Sequence, residues 1–205
     1  MEKNHTNTEA VTNGKLANVH HFDAKAKVED YVRELGIPAT FFMPGMYVTF
    51  FLSGGSLRQN SPSEPWTLSL PGPIDAQLPL FYPPDGGKWI KAIVLKRSEL
   101  LGKNVRAATE YYTPAQIVED FTKTFPEAGK GAKYNELPHE VFVNILKSTG
   151  MPEFGAVELL ENMRLTYEGG YYGGAPLSHE ILDPEDKLTT WSEYLKKHSP
   201  VKDLK

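Results

Sequence analysis

Apolar residues fall into short runs with two kinds of spacing. Val28, Tyr31, Val32 and Leu35 recur at the three- and four-residue intervals of a helix, with Lys27, Glu29, Asp30, Arg33 and Glu34 between them. The spacing predicts an amphipathic helix that turns the apolar four inward. Gly36 is placed to cap its end, and Pro38 prevents its continuation. The run Ile37-Pro38-Ala39-Thr40-Phe41-Phe42-Met43 is almost continuously apolar. Straight after a helix it reads as a strand covered on both faces, stopped by Pro44-Gly45. Residues 46–52 are apolar and suit a short helix or a loop over a pocket. Residues 53–65 are rich in Gly, Ser and Pro and read as a surface loop.

Further strands are expected at Trp66-Thr67-Leu68-Ser69-Leu70 and at Leu78-Pro79-Leu80-Phe81-Tyr82, the second on a sheet edge because Pro79 has no N–H to donate. Asp85 is placed as the N-cap of a helix carrying Trp89, Ile90, Ile93 and Val94 on one side. Val105-Arg106-Ala107-Ala108-Thr109 reads as a strand. Thr113-Pro114-Ala115-Gln116 has the form of a capping box, followed by Ile117, Val118, Phe121 and Phe125. Two helices near 138–148 and 153–167 each open with a proline, Pro138 and Pro152. A last one runs from Thr189 to His198 and packs Trp191, Tyr194 and Leu195. Strands alternate with helices early and helices dominate later, which predicts an α/β part with an appended, mostly helical part. Residues 1–18 are polar without a period and are expected to form a mobile arm, and 199–205 a tail.

Composition narrows the function. Over 205 residues, 22 Lys and Arg stand against 26 Asp and Glu, a net charge of −4, so the chain is not built to coat nucleic acid by charge. With no cysteine, thiol catalysis, disulfide scaffolds and cysteine-held metal clusters are excluded. A hydrophobic share of 40% predicts a packed core. No apolar run approaches the roughly 20 residues of a membrane helix. The polar opening Met1-Glu2-Lys3-Asn4-His5 does not resemble a secretory leader, so a cytoplasmic or nuclear location is expected. The glycosylation pattern Asn4-His5-Thr6 then reads as chance. Gly54-Gly55-Ser56-Leu57-Arg58 begins like a nucleophile elbow, but Arg58 stands where glycine is needed. His20, His21 and Asp23 diverge on a helix and do not make a metal site, so no metal is expected. Gly169-Gly170-Tyr171-Tyr172-Gly173-Gly174 lacks the strand, spacing and helix of a dinucleotide fingerprint and reads as a turn-rich loop.

The segment His21-Phe22-Asp23-Ala24-Lys25-Ala26-Lys27-Val28-Glu29-Asp30-Tyr31, continued through Gly36-Ile37-Pro38-Ala39-Thr40 to Pro44-Gly45-Met46-Tyr47, resembles the NmrA-like family, atypical members of the short-chain dehydrogenase/reductase group. Asp85-Gly86-Gly87, Gly102-Lys103-Asn104 and Leu188-Thr189-Thr190-Trp191 follow in the family's order. The resemblance implies an NAD(P)-binding Rossmann-type sheet, here partial, with a smaller substrate or partner domain, together spanning 19–198. In typical short-chain reductases this helix carries Tyr-x-x-x-Lys, where the phenol gives a proton and the lysine holds the nicotinamide ribose. The lysine is kept as Lys25, and His21 replaces the tyrosine. Lys25 is therefore the expected cofactor contact. His21 is a weaker catalytic candidate, more suited to packing or cofactor contact than to acid catalysis. Tyr47, Val48, Thr49 and Phe50 occupy a stretch that lines the nicotinamide in the family, without its asparagine.

Only 20 residues precede His21, and they hold no Gly-x-x-Gly-x-x-Gly turn for the pyrophosphate. The chain looks like the C-terminal part of such a protein, and its binding of NADP or NAD is expected to be weak. The implied role is redox sensing or regulation through a protein partner such as a transcription factor, without classical dehydrogenase activity. Two alternatives stand beside it, an NAD(P)H-dependent reductase of the isoflavone-reductase type and a cofactor-free interaction fragment. The strand at 37–43 would lose its neighbours on one side, so self-association through an exposed sheet edge is also expected.

Overall fold

A computed structural model describes residues 7–205. It begins with one helical turn, α1 (Thr8–Val11), capped by the Asn7 side chain, which accepts from the Ala10 N–H at 2.8 Å. Leu16 and Val19 are fully buried against Leu165. The Asp23 carboxylate accepts from the Thr8 N–H and from its hydroxyl, at 2.7 Å each. The stretch expected as a mobile arm is therefore packed over its described part. Two fully buried aliphatic side chains, at roughly 1.5–3 kcal/mol each, account for that. The Asn4 pattern lies outside the described residues.

The helix α2 (His20–Glu34) forms where the spacing predicts and ends at Leu35, with Gly36 in the left-handed region at φ 66°. Its orientation is the reverse of the expected one. Ala26 and Glu29 are buried, while Val28, Tyr31 and Leu35 are more than half exposed. A polar network decides this. Glu29 Oε1 accepts from Arg33 Nε at 3.0 Å and Nη2 at 2.8 Å, and Oε2 accepts from Asn104 Nδ2 at 3.3 Å. Arg33 Nη1 donates to the Gly102 carbonyl at 2.8 Å, and its guanidinium lies 4.4 Å above the Phe41 ring. Partnered on all sides, the carboxylate turns inward and the apolar stripe is left on the surface.

The remaining elements follow in order: β1 (Phe41–Pro44), β2 (Met46–Tyr47), α3 (Thr49–Ser53), β3 (Leu57–Arg58), β4 (Thr67–Leu70), β5 (Leu78–Phe81), α4 (Gly86–Leu95), α5 (Arg97–Leu100), β6 (Asn104–Ala107), β7 (Glu110–Tyr112), α6 (Pro114–Thr124), β8 (Lys133–Glu136), α7 (His139–Ser148), α8 (Glu153–Glu168) and α9 (Trp191–Lys197). The strands β1 and β6 pair in parallel, with Phe41 opposite Asn104 and Met43 opposite Arg106, and helices lie in the connection between them. This is the α/β, Rossmann-type pairing expected, and helices dominate from α6 onward. Among the described residues β1 has no strand on its other side. Phe41 and Phe42 are only half-buried, so the expected cover on both faces is met by Met43 alone.

Two further small sheets have the orders β2-β5-β7 and β3-β4-β8. Here β5 is central, not an edge. Its pairing with β2 starts only at Leu80, past the proline, so Pro79 interrupts no bond on that side. The strand β3 lies inside the expected surface loop and buries Leu57, and β8 was not foreseen. The core gathers Phe51, Leu68, Leu80, Ile117, Phe121, Trp191 and Tyr194 around these sheets. The Thr113 capping box is present as expected. In α4 the buried residues are Trp89 and Ala92, while Ile90 and Val94 are exposed. Asp85 caps no backbone N–H of its helix with its side chain: Oδ2 accepts from the Thr189 N–H at 2.6 Å, tying in the distant chain, and Oδ1 pairs with Lys88 of α4 at 2.5 Å. Thr189 being so used, the cap of α9 falls to Thr190, with Glu193 completing the box. No described helix is long and apolar enough to cross a membrane.

Candidate functional site

Between α2, the free side of β1 and the helices α7 and α8 lies an open cavity of about 1540 Å³. It exceeds the roughly 300–1,000 Å³ of a typical small-molecule site. Of the residues expected to touch a cofactor, Lys25, Tyr47, Thr49 and Phe50 all line it, together with His21. Val48 does not. Its side chain is buried in the core beside Phe51, and its N–H donates to the Phe81 carbonyl at 3.0 Å.

Lys25 stands one turn beyond His21 on α2 and pairs with no carboxylate among the described residues. The cavity wall is otherwise mainly apolar, formed by Phe42, Met43, Phe142, Leu146 and Met163 among others. A cation in such surroundings attracts an anionic or hydroxyl-rich group, since no described carboxylate pairs with it.

His21 is held differently. Glu158 Oε1 accepts from the His21 backbone N–H at 2.8 Å and lies 2.6 Å from its ring Nδ1. An ionised carboxylate only accepts, so Nδ1 carries a proton, and Nε2 faces the Asn162 side-chain amide at 3.3 Å. Asn162 Oδ1 is buried without a partner among the described residues. Burial would raise the Glu158 carboxyl, but the hydrogen bonds from the His21 ring and backbone prevail and hold it below its usual value. One turn on, Glu161 accepts from the Asn18 N–H at 2.7 Å and from its side-chain amide at 2.6 Å. Two carboxylates of α8 thus cap the start of α2, where negative charge complements the helix dipole.

The glycine-rich segment closes the end of the cavity near Phe22. Gly170, Gly173 and Gly174 all have positive φ, which L side chains resist. They turn Tyr171 and Tyr172 inward. The Tyr172 hydroxyl donates to the Met43 carbonyl at 2.9 Å, tying the segment to β1. Tyr171 packs edge-on against Phe22, with ring centres 5.3 Å apart, and lines the cavity.

Sequence reasoning missed Glu158, Asn162 and Tyr171. Glu158 and Asn162 lie 137 and 141 positions from His21, and nothing local marks such partners. For Tyr171 the paired aromatics between glycines were the available signal. The residues present fit the nicotinamide-ribose end of a dinucleotide. Among the described residues no three His, Asp or Glu side chains are grouped to hold a metal.

The family model of the NmrA-like family matches residues 4–195. The chain is 30% identical over 176 residues to the nitrogen metabolite repression protein nmr of Neurospora crassa, covering 82% of this chain and 35% of that protein. Its fold is similar to the crystal structure of NmrA, a negative transcriptional regulator, with a TM-score of 0.69 at 20% identity, over 88% of this chain and 58% of that one. NmrA in complex with NADP gives 0.66 at 20% identity, over 86% and 57%. Isoflavone reductase gives 0.65 at 18% identity, over 87% and 58%. The chain thus spans about a third of the curated relative and under two thirds of these solved structures.

Proposed function

The chain belongs to the NmrA-like family, and from that premise we propose that it is a regulatory protein that binds NADP(H) or NAD(H) in the cavity beside α2 and engages a protein partner such as a transcription factor. The observation that carries this reading is Lys25, a cation on the cavity wall at the family's lysine position, with no carboxylate partner among the described residues. Lys25 would hold the nicotinamide ribose, and Tyr47, Thr49 and Phe50 would flank the ring. When bound, the nicotinamide supplies a hydride couple. The relative named for nitrogen metabolite repression and the solved negative regulator with NADP support a sensing role. His21 supports it too, because both its ring nitrogens are already engaged and no proton is offered to a substrate.

The same reading keeps affinity low, since this wall lacks a glycine-opened helix for the pyrophosphate. It also leaves the open edge of β1 and the exposed stripe Val28, Tyr31 and Leu35 for a second copy or a partner's strand. Calorimetric titration with NADP+ tests the cofactor part. The expected result is a dissociation constant well above the low-micromolar range, weakened about tenfold by Lys25→Ala, the size of one charge-assisted contact. An unchanged affinity in that variant overturns the assignment. Steady NADPH oxidation with carbonyl compounds, lost in His21→Ala, favours the reductase alternative to which the isoflavone reductase neighbour points.

A further inference from the structure

The position that carries the phenol in typical short-chain reductases is His21, and that imidazole has no free proton to give. Its Nδ1–H is taken by Glu158 and its Nε2 faces the Asn162 amide nitrogen. A ligand oxygen in this cavity still needs a donor, and the wall holds one that the helix does not supply. Tyr171 is only 9% exposed, yet it lines the cavity, and its hydroxyl makes no hydrogen bond to any described residue. The neighbouring phenols are committed elsewhere: Tyr172 donates to the Met43 carbonyl at 2.9 Å, and Tyr111 to the Ala175 carbonyl at 3.2 Å. Tyr47 also lines the cavity, but at 49% exposure its hydroxyl is open to solvent.

We propose that Tyr171 is the hydrogen-bond donor of this cavity, presenting its O–H to the carbonyl or carboxamide oxygen of a bound ligand. Under the reading above, on which this inference rests, that oxygen belongs to the nicotinamide carboxamide. The phenol comes from the glycine-rich segment between α8 and the last helix, so the donor lost from α2 is supplied by a different element. Three facts fit this role. The Tyr171 hydroxyl is not among the described polar atoms sealed from solvent without a partner, so it is reachable from the cavity. Burial pushes the Tyr171 phenol well above its usual value, so it stays a donor at any physiological pH. The ring is held in place by edge contacts to Phe22 at 5.3 Å and Tyr172 at 5.0 Å, so the donor is positioned before a ligand arrives.

The test compares the full chain with Tyr171→Phe, which removes only the hydroxyl. Binding of NADP+ is followed by calorimetry and folding by thermal melting. The variant is expected to melt within about 2 °C of the parent, because no internal bond is lost, and to bind NADP+ about three- to tenfold more weakly. A second readout uses tyrosine labelled at Cζ. The Tyr171 hydroxyl should exchange with solvent faster than that of Tyr172 and slow when NADP+ is added. Equal affinities in parent and variant overturn the assignment of Tyr171 alone. A slowly exchanging Tyr171 hydroxyl that ignores NADP+ does the same. Failure of the parent to bind NADP+ at millimolar concentration overturns the dinucleotide reading, and this assignment with it.

Discussion

Glu158 accepts from both the ring and the backbone of a residue 137 positions away, and its charge does two tasks. It caps α2 and holds a proton on Nδ1 of His21. Its folded-state carboxyl sits below the ordinary 4.5, so the unfolded chain binds the proton more readily than the folded one. The stabilisation it contributes is therefore complete above the unfolded value and is lost as the pH falls through the folded one. Glu158→Gln keeps the shape and removes the charge. In urea titrations at pH 7 it should be less stable by about 1 kcal/mol, with the gap closing as the pH falls below the ordinary carboxylate range. A gap that persists undiminished at low pH would show that the charge is immaterial. Lys25 and His21 were legible in the sequence because they stand at fixed offsets on one helix. Glu158 and Asn162 were not, because only the docking of α8 onto α2 brings them there.

Among the elements, capping chemistry was the most readable level. The Thr113 box is local, needing four consecutive residues, and it forms as the pattern predicts. The face of α2 was misread because periodicity registers apolar residues and is blind to a carboxylate satisfied by Arg33 and Asn104. The short strands β2, β3 and β8 escaped notice for a related reason. Two to four residues are too few for an alternating pattern to show. The glycine-rich segment was read as a loop and is one, but a rigid one. At Gly170, with φ 77°, an added Cβ would meet the Gly174 nitrogen at 2.8 Å. Gly170→Ala should cost about 1–2 kcal/mol, a fall of roughly 2–8 °C in melting temperature. It should also weaken NADP+ binding by displacing Tyr171. A melting temperature and affinity equal to the parent's would contradict the view that this segment holds the donor in place.

At the scale of the whole molecule, the order of elements was legible, and the self-association expected from the open sheet is a prediction to be measured. Among the described residues β1 has no strand on its outer side, and Val28, Tyr31 and Leu35 of α2 are exposed. Light scattering after size exclusion should show self-association that Val28→Lys reduces, because a charge at a position 62% exposed disturbs contact without disturbing the core. A monodisperse parent with a single cooperative melt would contradict this.

The central claim is that the cavity beside α2 receives the nicotinamide end of a dinucleotide, and amide chemical shifts followed during NADP+ titration test it most directly. The account predicts shifts confined to the α2 residues around His21 and Lys25, to Met43 through Phe50, and to Tyr171 and Tyr172. Shifts clustered elsewhere, or none at millimolar NADP+, would contradict it.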